Sequence, residues 1–365
     1  MMLLPEFSNN FIIATTVGFS VTFIISAIIV MSERLHGKFT FDLQYGVQKT
    51  HIKPTPRVGG IAIITSIFVV CPIIDIQHMP VFKIICLGSL PVFCVGLLED
   101  ITKKISVKTR FLAALLSGFL FIYISGYSIT DAGISFLNLA LAIPIFSILF
   151  TLFCISGLIN SFNLIDGFNG LSSGTAIILL LAFACISNQV GDITLANISL
   201  LLAISITGFF AFNFPLGKLF LGDGGAYLLG YIIAALVILL PVRNHEVSPW
   251  ISLLIVIYPT TETLASILRR KLLKNIGIST ADRNHLHHLL SKNIVEPLYG
   301  FTGYSKGKNS LTALISLTMP MSTLLWAIFF EATIVNASIY ITSFVISYSI
   351  LYCLLSKFSI KPNFL

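Results

Sequence analysis

Apolar runs of about 20 residues recur along almost the whole 365-residue chain, and this pattern restricts the fold more than any other feature. A helix of that length crosses a hydrocarbon core of about 30 Å. Only 10% of the residues are charged and 56% are apolar, whereas soluble domains carry roughly 25% charged residues. The sequence therefore predicts an all-α integral membrane protein, organised as a single polytopic domain over residues 1–365.

The apolar runs predict about 11 transmembrane helices. The first run has no small-residue cleavage site after a short apolar core, which favours a retained helix over a signal peptide. The six cysteines lie in or beside the runs without CxxC spacing, which argues against a disulfide framework or a cysteine metal site. The predicted spans are 10–31, 57–76, 79–98, 110–129, 136–158, 171–187, 193–213, 225–241, 249–268, 311–331 and 333–355.

The lysines and arginines predict the orientation of these spans. If the N-terminus is outside, only Lys83 and Arg243 of the 22 Lys and Arg residues remain on the outer side, as the positive-inside rule expects. The net charge of +7 is thus explained without a nucleic-acid partner. The topology is N-out and C-in, and a catalytic site would face the cytoplasm. The predicted cytoplasmic loops are about 32–56, 99–109, 159–170, 214–224 and 269–310.

The first cytoplasmic loop contains "QKTHIKPTPRVGG" at 48–60, where two prolines stiffen extended backbone beside cationic side chains. These side chains could hold anionic lipid headgroups, as juxtamembrane cations do, or clamp a phosphate or pyrophosphate. The residues concerned are Lys49, His51, Lys53 and Arg57.

The second loop begins with two adjacent carboxylates, Glu99 and Asp100, at the end of a predicted span. Their mutual repulsion predicts a cation nearby. They are either a helix end paired with Lys103 and Lys104, or a metal-binding or proton-accepting pair.

The third loop, "NSFNLIDGFNGLSSG" at 160–174, carries more polar groups than a helix cap needs. Asn160, Asn163 and Asp166 follow one another at intervals of three residues, which on a helix places them on roughly one face. Asn169 extends this polar cluster.

The fourth loop, "GKLFLGDGGAYLLG" at 217–230, sets Asp223 among glycines at the start of a span. Asp223 could cap that helix, or bind a metal that carries a phosphate close to glycine backbone. Phe220 could stack on a flat ring or face lipid.

The fifth loop, "GISTADRNHLHHLLSKN" at 277–293, carries His285, His287 and His288. This spacing is unlike that of usual zinc sites. It suits phosphate or sugar contacts and proton transfer, or a structural cluster. Together, the five loops place carboxylates, amides and cations at one membrane boundary, a composition suited to Mg²⁺-assisted phosphoryl transfer.

Five segments, in this order, resemble the motifs of the polyprenyl-phosphate N-acetylhexosamine-1-phosphate transferases. They are "KTHIKPTPRVGG", "GLLEDITKKISVKTR", "NSFNLIDGFNGLSSG", "KLFLGDGGAYLLGY" and "DRNHLHHLL". That family includes the phospho-MurNAc-pentapeptide translocase and the bacterial enzymes that start O-antigen, common-antigen and wall-polymer synthesis. The resemblance covers about residues 48–290.

The resemblance implies transfer of N-acetylhexosamine 1-phosphate from a UDP-sugar, such as UDP-GlcNAc, to undecaprenyl phosphate, with release of UMP. The implied cofactor is Mg²⁺, with Mn²⁺ as an alternative. The implied location is the bacterial cytoplasmic (inner) membrane, with membrane lipids around the chain and a homodimer left open. The implied catalytic residues are Glu99, Asp100, Asp166 and His285, the metal ligands Asp223 and Asp100, and the substrate-binding residues Lys49, His51, Lys53, Arg57, Lys103, Asn160, Asn163, Phe220, His287 and His288.

Two positions depart from the family pattern: Glu99 stands where most relatives have Asp, and Asn169 replaces a second Asp. The segments "HLHHLL" and "PTPRVGG" resemble those of the polysaccharide-initiating branch more than those of the pentapeptide translocase. Phospho-MurNAc-pentapeptide transfer stays the alternative function. A transporter is the alternative from another class, but transporters place polar groups near the bilayer midplane, whereas here the ionisable residues gather at one interface.

Overall fold

The computed structural model describes residues 8–42, 54–271, 284–302 and 307–359. Within these ranges the chain is almost entirely helical, with a 3₁₀ turn at Ile76–His78 and a π-helical turn at Ser291–Val295. The helices are α1 (Asn9–Met31), α2 (Glu33–Thr40), α3 (Gly60–Val70), α4 (Met79–Thr102), α5 (Val107–Ser125), α6 (Ser135–Leu141), α7 (Pro144–Ile165), α8 (Leu171–Gln189), α9 (Ile193–Asn213), α10 (Gly222–Arg243), α11 (Pro249–Ile255), α12 (Ile257–Arg269), α13 (Leu286–Leu290), α14 (Glu296–Thr302), α15 (Lys308–Phe329) and α16 (Ile334–Ser359).

In the described ranges, nine helices are long and apolar enough to cross a membrane. They are α1, α4 together with the preceding 3₁₀ turn, α5, α7, α8, α9, α10, α15 and α16. The chain is thus a helical multi-pass membrane protein, as the sequence predicts. The count of 11 full spans is not confirmed, and the N-out, C-in orientation and the single domain over 1–365 stay predictions.

The predicted span 57–76 contains only α3, a helix of 11 residues. At about 1.5 Å per residue it is roughly 16 Å long, too short to cross a hydrocarbon core of about 30 Å. Residues 54–59 precede this helix, and the amides of Gly59 and Gly60 donate to the carbonyls of Phe220 and Leu221 at 2.9 and 3.0 Å. Hydropathy counted these residues as helix, but their hydrogen bonds are made with another loop.

The predicted span 249–268 is two helices, α11 and α12, that meet at an angle of 79°. The break lies at Val256, and Pro259 follows in the first turn of α12, where its missing N–H costs no helical hydrogen bond. The two helices taken together are long and apolar enough to form one span, so the apolar run alone predicts one straight helix. The bend turns α12 sharply away from the direction of α11.

Helix α10 lies at the centre of the bundle and packs against α3, α4, α7 and α8. Glycines allow the closest approach, since a Cβ built on Gly96 of α4 would lie 2.6 Å from Cα of Gly224. Small residues at helix crossings allow such backbone contact in membrane proteins. The far end of α10 is held by Asp192, which accepts hydrogen bonds from Nε and Nη2 of Arg243 at 2.7 and 3.1 Å.

A short antiparallel pair joins the segment after α2 to the segment before α3. Strand β1 (Phe41–Asp42) pairs with β2 (Thr55–Pro56), with Phe41 opposite Pro56. The carbonyl of Pro56 also accepts the amide of Phe220 at 2.8 Å. These hydrogen bonds hold the "PTPRVGG" segment against the glycine-rich loop that starts α10.

Candidate active site

A cavity of about 260 Å³ lies where the end of α7, the start of α10 and the segment before α3 meet. Residues from three of the five sequence motifs and from the neighbouring segments line it. Those that bear on its chemistry are Asp42, Arg57, Asn163, Asp166, Phe168, Asn169, Phe220 and Asp223. Most of its wall is polar, in contrast to the apolar interior of the bundle. The three-dimensional fold therefore brings the predicted polar loops to one site.

Asp223 is the most heavily contacted carboxylate that lines the cavity, and its side chain is 13% exposed. Its Oδ1 accepts from Nη2 of Arg57 at 2.8 Å and from the amide of Asn163 at 3.3 Å. Its Oδ2 accepts from Nη1 of Arg110 at 3.1 Å. Two guanidinium groups and one carboxamide thus converge on one carboxylate that also faces open space.

Asp100 lies behind Asp223 and is 1% exposed. Its Oδ1 accepts the backbone N–H of Asp223 at 2.8 Å, and its Oδ2 accepts that of Gly224 at 2.9 Å. These amides belong to the first turn of α10, where helices carry unpaired donors and a partial positive charge. Asp100 therefore anchors the start of α10 from the end of α4, and its role as a base toward substrate finds no geometric support.

Arg57 links the acidic groups of the site. Its Nε lies 3.0 Å from Asp100, its Nη2 2.8 Å from Asp223 and its Nη1 3.6 Å from Asp42. Burial lowers the pKa of this guanidinium, but the charges of Asp100 and Asp223 outweigh that effect and the net shift is upward. Arg57 is therefore cationic at every working pH, and it compensates carboxylates that would otherwise repel one another.

Asp166 caps the C-terminal end of α7 and lines the cavity. Burial raises the pKa of its carboxyl to about 7, the charge of Asp223 adds to this shift, and Arg57 opposes it. A carboxyl with a pKa close to neutral can hold or release a proton at physiological pH. The part of Asp166 in the chemistry stays a prediction.

Asn160, predicted on the same face as Asn163 and Asp166, does not line the cavity. It is exposed, and its amide donates to the carbonyl of Ser156 at 2.7 Å within its own helix. Each interval of three residues falls about 60° short of a full helical turn, so Asn160 and Asp166 are about 120° apart around α7. The spacing predicted a shared face that extends over only two of the three residues.

Glu99 and Lys103 support the loop after α4 and are not among the residues that line the cavity. The Oε2 of Glu99 accepts the backbone N–H of Ile105 at 2.7 Å. Nζ of Lys103 donates to the carbonyl of Phe41 at 2.8 Å, and Lys103 ends α4 in the left-handed conformation with φ 55°. In this structure Glu99 fixes the loop, and Lys103 joins it to β1. Lys49, His51 and Lys53 lie outside the described residues.

The histidine segment contacts the cavity wall through Gly167 and Phe168. The rings of His287 and His288 lie 5.6 and 5.2 Å from the ring of Phe168, measured between centroids. The Nε2 of His287 lies 3.5 Å from the position of a Cβ on Gly167. Burial lowers the pKa of His287 to about 3, so its imidazole is neutral. Neither ring nitrogen of His287 has a hydrogen-bond partner among the described residues.

A magnesium ion fits the site only if substrate supplies part of its coordination. In the described ranges, no three Asp, Glu, His or Cys side chains come together as a metal site. Magnesium, however, commonly takes one or two carboxylates and completes its shell with substrate phosphates and water. Asp223 meets this requirement, since Oδ2 accepts one hydrogen bond and a carboxylate oxygen has room for a second partner. The oxygens of Asp100, the second predicted ligand, are already bound to backbone.

Three further polar residues shape the site without being predicted. The Oδ1 of Asn213 accepts the amide of Gly170 at 2.6 Å, and its Nδ2 donates to the carbonyl of Leu219 at 2.8 Å, joining two motif loops. Asn309 accepts the amide of Asn169 at 2.6 Å. Arg110 was counted only as a cytoplasmic cation. Asn213 offered a sequence signal, because an amide at the end of an apolar span needs a partner.

Comparison with known proteins gives one family and several named relatives. Residues 82–241 match the family described as glycosyl transferase family 4. The chain is 30% identical over 244 residues to a probable undecaprenyl-phosphate N-acetylglucosaminyl 1-phosphate transferase of Bacillus subtilis, covering 67% of each chain. It is 31% identical over 254 residues to an undecaprenyl-phosphate alpha-N-acetylglucosaminyl 1-phosphate transferase of Yersinia pestis, covering 67% of this chain and 68% of that one.

A third relative is a phospho-N-acetylmuramoyl-pentapeptide-transferase of Clostridium perfringens. The identity is 30% over 293 residues, which covers 76% of this chain and 88% of that protein. The relatives therefore divide between two transferase activities that share a phosphorylated amino sugar.

Proposed function

This chain belongs to glycosyl transferase family 4, and we propose that it transfers N-acetylhexosamine 1-phosphate from a UDP-sugar to undecaprenyl phosphate, releasing UMP. The observation that carries this proposal is the cavity in which Asp223, Arg57 and Asp166 face the same space as Phe220. Carboxylates, a fixed guanidinium and an aromatic ring suit a diphosphate that carries a nucleobase. The reaction would be the first membrane step of a cell-surface polysaccharide, at the cytoplasmic face of a bacterial inner membrane.

The reaction exchanges one phosphoanhydride bond for another. An oxygen of the lipid phosphate attacks the β-phosphorus of the UDP-sugar, and the bond from that phosphorus to the bridging oxygen breaks. The electron pair of the broken bond leaves with UMP. A phosphate monoester has a second pKa of about 6, so the acceptor is largely ionised at neutral pH without a strong base. The protein's main tasks are to align the two phosphates and to stabilise their charge.

The cationic side chains are proposed to hold phosphate oxygens. Arg57 and Arg110 both converge on Asp223 beside the cavity, so a diphosphate that enters there meets two guanidinium groups already oriented by a carboxylate. Bidentate guanidinium contacts hold phosphate in a defined geometry. Asp223 would also hold the proposed Mg²⁺, with Mn²⁺ as an alternative, and that ion would neutralise the charge of the leaving group.

The other side chains of the cavity are proposed to recognise the rest of the donor. Phe220 is half-buried and would stack on uracil, and Asn163 lies near enough to Asp223 to contact the same nucleotide. His287 is neutral, and its ring nitrogens have no partner within the described ranges, which suits a contact to a sugar hydroxyl or phosphate. Asp100 is proposed to act without touching the substrate, because it fixes the first turn of α10 on which Asp223 lies.

Transfer of phospho-MurNAc-pentapeptide is the second candidate, because the Clostridium perfringens relative is matched over 88% of its length. The two candidates differ in donor and share the acceptor and the chemistry. Discrimination between donors requires contacts to the group that differs, here the peptide-bearing lactyl ether against a free hydroxyl.

The test is release of UMP by the purified chain from a panel of UDP-sugars with undecaprenyl phosphate. We expect turnover with UDP-GlcNAc or another simple UDP-HexNAc and none without the lipid phosphate. Turnover with UDP-MurNAc-pentapeptide alone would establish the second candidate instead. A chain that releases UMP from neither donor class refutes both. Loss of turnover on chelation, restored by Mg²⁺ or Mn²⁺, is the separate test of the cofactor.

A further inference from the structure

Helix α12 carries a buried carboxylate, Glu262, that the site and its proposed chemistry do not use. Glu262 is 1% exposed and lies in the segment that follows the 79° bend. It does not line the cavity. An ionisable side chain in an apolar membrane helix is costly, and it persists where specific partners compensate it. The identity of those partners indicates its role.

Glu262 accepts three hydrogen bonds from two other segments. Its Oε1 lies 3.1 Å from Nδ1 of His285 and 3.0 Å from the backbone nitrogen of Leu286. Its Oε2 accepts from the hydroxyl of Tyr348 in α16 at 2.7 Å. An ionised carboxylate can only accept, so Nδ1 of His285 carries the proton in this contact. In a neutral ring with the proton on Nδ1, Nε2 is an acceptor.

Two stacked imidazole rings connect Glu262 to the wall of the cavity. The ring of His285 lies parallel to that of His287, with an interplanar angle of 10° and centroids 5.4 Å apart. His287 in turn lies against Gly167 and Phe168 in the cavity wall. The amide of Leu286 starts helix α13, so the same carboxylate also fixes where the histidine segment becomes helical. Displacement of Glu262 would therefore move imidazoles at the substrate cavity.

Helix α16 holds the same segment at a second point. The hydroxyl of Tyr352 accepts from Nη1 of Arg269 at 2.7 Å and donates to the carbonyl of Asn284 at 3.1 Å. Tyr348 and Tyr352 are one turn apart, so one face of α16 contacts both α12 and the start of the histidine segment. The last helix is thus part of the support for the site.

We propose that Glu262 is a positioning residue: it holds His285 in the Nδ1-protonated form and anchors α13 so that the histidine rings lie against the substrate cavity. Partners that orient a functional histidine through its second nitrogen commonly alter activity by 10- to 100-fold when removed. The effect on turnover rests on the proposed function. The state of the His285 ring does not, and it can be measured without substrate.

The test compares two replacements of Glu262 that have similar size and no charge. Glu262→Gln keeps an oxygen that can accept from both His285 and Leu286, whereas Glu262→Leu removes every acceptor. Thr263→Val is the matched control, since Thr263 is the next residue of α12 and donates instead to Ser161 at 2.8 Å. Each protein is purified whole, and its thermal unfolding in detergent is recorded.

The first readout is the ¹⁵N spectrum of histidine-labelled protein, with the His285 signal assigned by its loss in His285→Gln. We expect a proton on Nδ1 of His285 in the wild type, in Thr263→Val and in Glu262→Gln, and its loss in Glu262→Leu. A wild-type His285 protonated on Nε2 alone overturns the proposal, whether or not the variants fold.

The second readout is UMP release with a UDP-HexNAc. We expect kcat of Glu262→Leu to fall by about 10- to 100-fold, with a smaller change in the KM for the donor, and Glu262→Gln to recover most of that loss. The proposal is overturned by wild-type kcat in Glu262→Leu, or by equal losses in the Gln and Leu variants. If the wild type turns over none of the donors, the proposed function fails while the ring measurement still decides the role of Glu262.

Discussion

The two aspartates of the site are predicted to respond differently to the same change, because one anchors a helix and the other faces the cavity. Asp100→Asn keeps the size of the side chain but replaces one acceptor oxygen with an NH₂ group. That group then opposes a backbone N–H of Asp223 or Gly224, and Arg57 loses one of its charged partners. Asp223→Asn alters a side chain that is 13% exposed and can recruit water.

The structure sets the expected magnitudes. Breaking a buried charged contact costs about 3–5 kcal/mol, and since Arg57 retains Asp223 and Asp42, the lower value of about 3 kcal/mol applies to Asp100→Asn. Weakening the partly exposed contacts of Asp223 costs about 1 kcal/mol. At roughly 2 °C per kcal/mol for a large chain, the thermal midpoint falls by about 6 °C for Asp100→Asn and about 2 °C for Asp223→Asn.

The assay is paired: thermal unfolding in detergent at one fixed scan rate, because membrane proteins often unfold irreversibly, and UMP release below both midpoints. Asp223→Asn should lose about 100-fold in turnover while it stays almost as stable as the wild type, as expected for a group that stabilises charge in the reaction. Asp100→Asn should lose both stability and turnover. Equal thermal shifts, or an Asp100→Asn midpoint within about 1 °C of the wild type, would refute the anchoring role.

Three further changes test other parts of the structure. Phe220→Leu should raise the KM for the UDP-sugar by about 10-fold with little change in kcat, since stacking on a base is worth about 1–3 kcal/mol, and an unchanged KM argues against stacking. The low pKa of His287, about 3, means that below pH 6.5 the unfolded chain binds a proton that the folded chain does not. As the pH is lowered below 6.5, the free energy of unfolding should therefore decrease by up to about 1.4 kcal/mol per pH unit. His287→Leu should reduce this difference in the free energy of unfolding between pH 7 and pH 5. Gly96→Ala should destabilise by about 1–3 kcal/mol because its Cβ meets the backbone of Gly224, whereas Gly157→Ala, with open space around its Cβ, should be neutral; equal midpoints for both would contradict the close packing.

Most of the helical architecture follows from hydropathy, and its exceptions have a geometric origin. The hydropathy of a run of residues depends only on their composition. It carries no information on whether their backbone groups form hydrogen bonds within the same segment. For this reason it missed the late start of α3, whose first amides bond to Phe220 and Leu221, and the bend at Val256. The first of these deviations joins the segment that carries Arg57 to the loop that carries Phe220.

The candidate site was predictable where several polar residues occur close together in sequence. Asn163 and Asp166 were found in this way and Asp223 by the glycines around it, and all three line one cavity. Glu262 was missed because it is the single charged residue in the apolar run 249–268. Its signal was nevertheless present, since a single ionisable group inside a predicted span is by default a candidate for function. Arg110 was missed for the opposite reason, because many cations lie near it.

Helix α10 is tied at both ends by carboxylates that belong to other parts of the chain, Asp100 at its start and Asp192 at its end. Helix α10 cannot slide along its own axis without breaking both sets of charged hydrogen bonds. Carriers that move cargo across a bilayer depend on such displacements of one helical unit against another. In this molecule these contacts oppose sliding of the central helix, and they hold Asp223 in one position relative to α4.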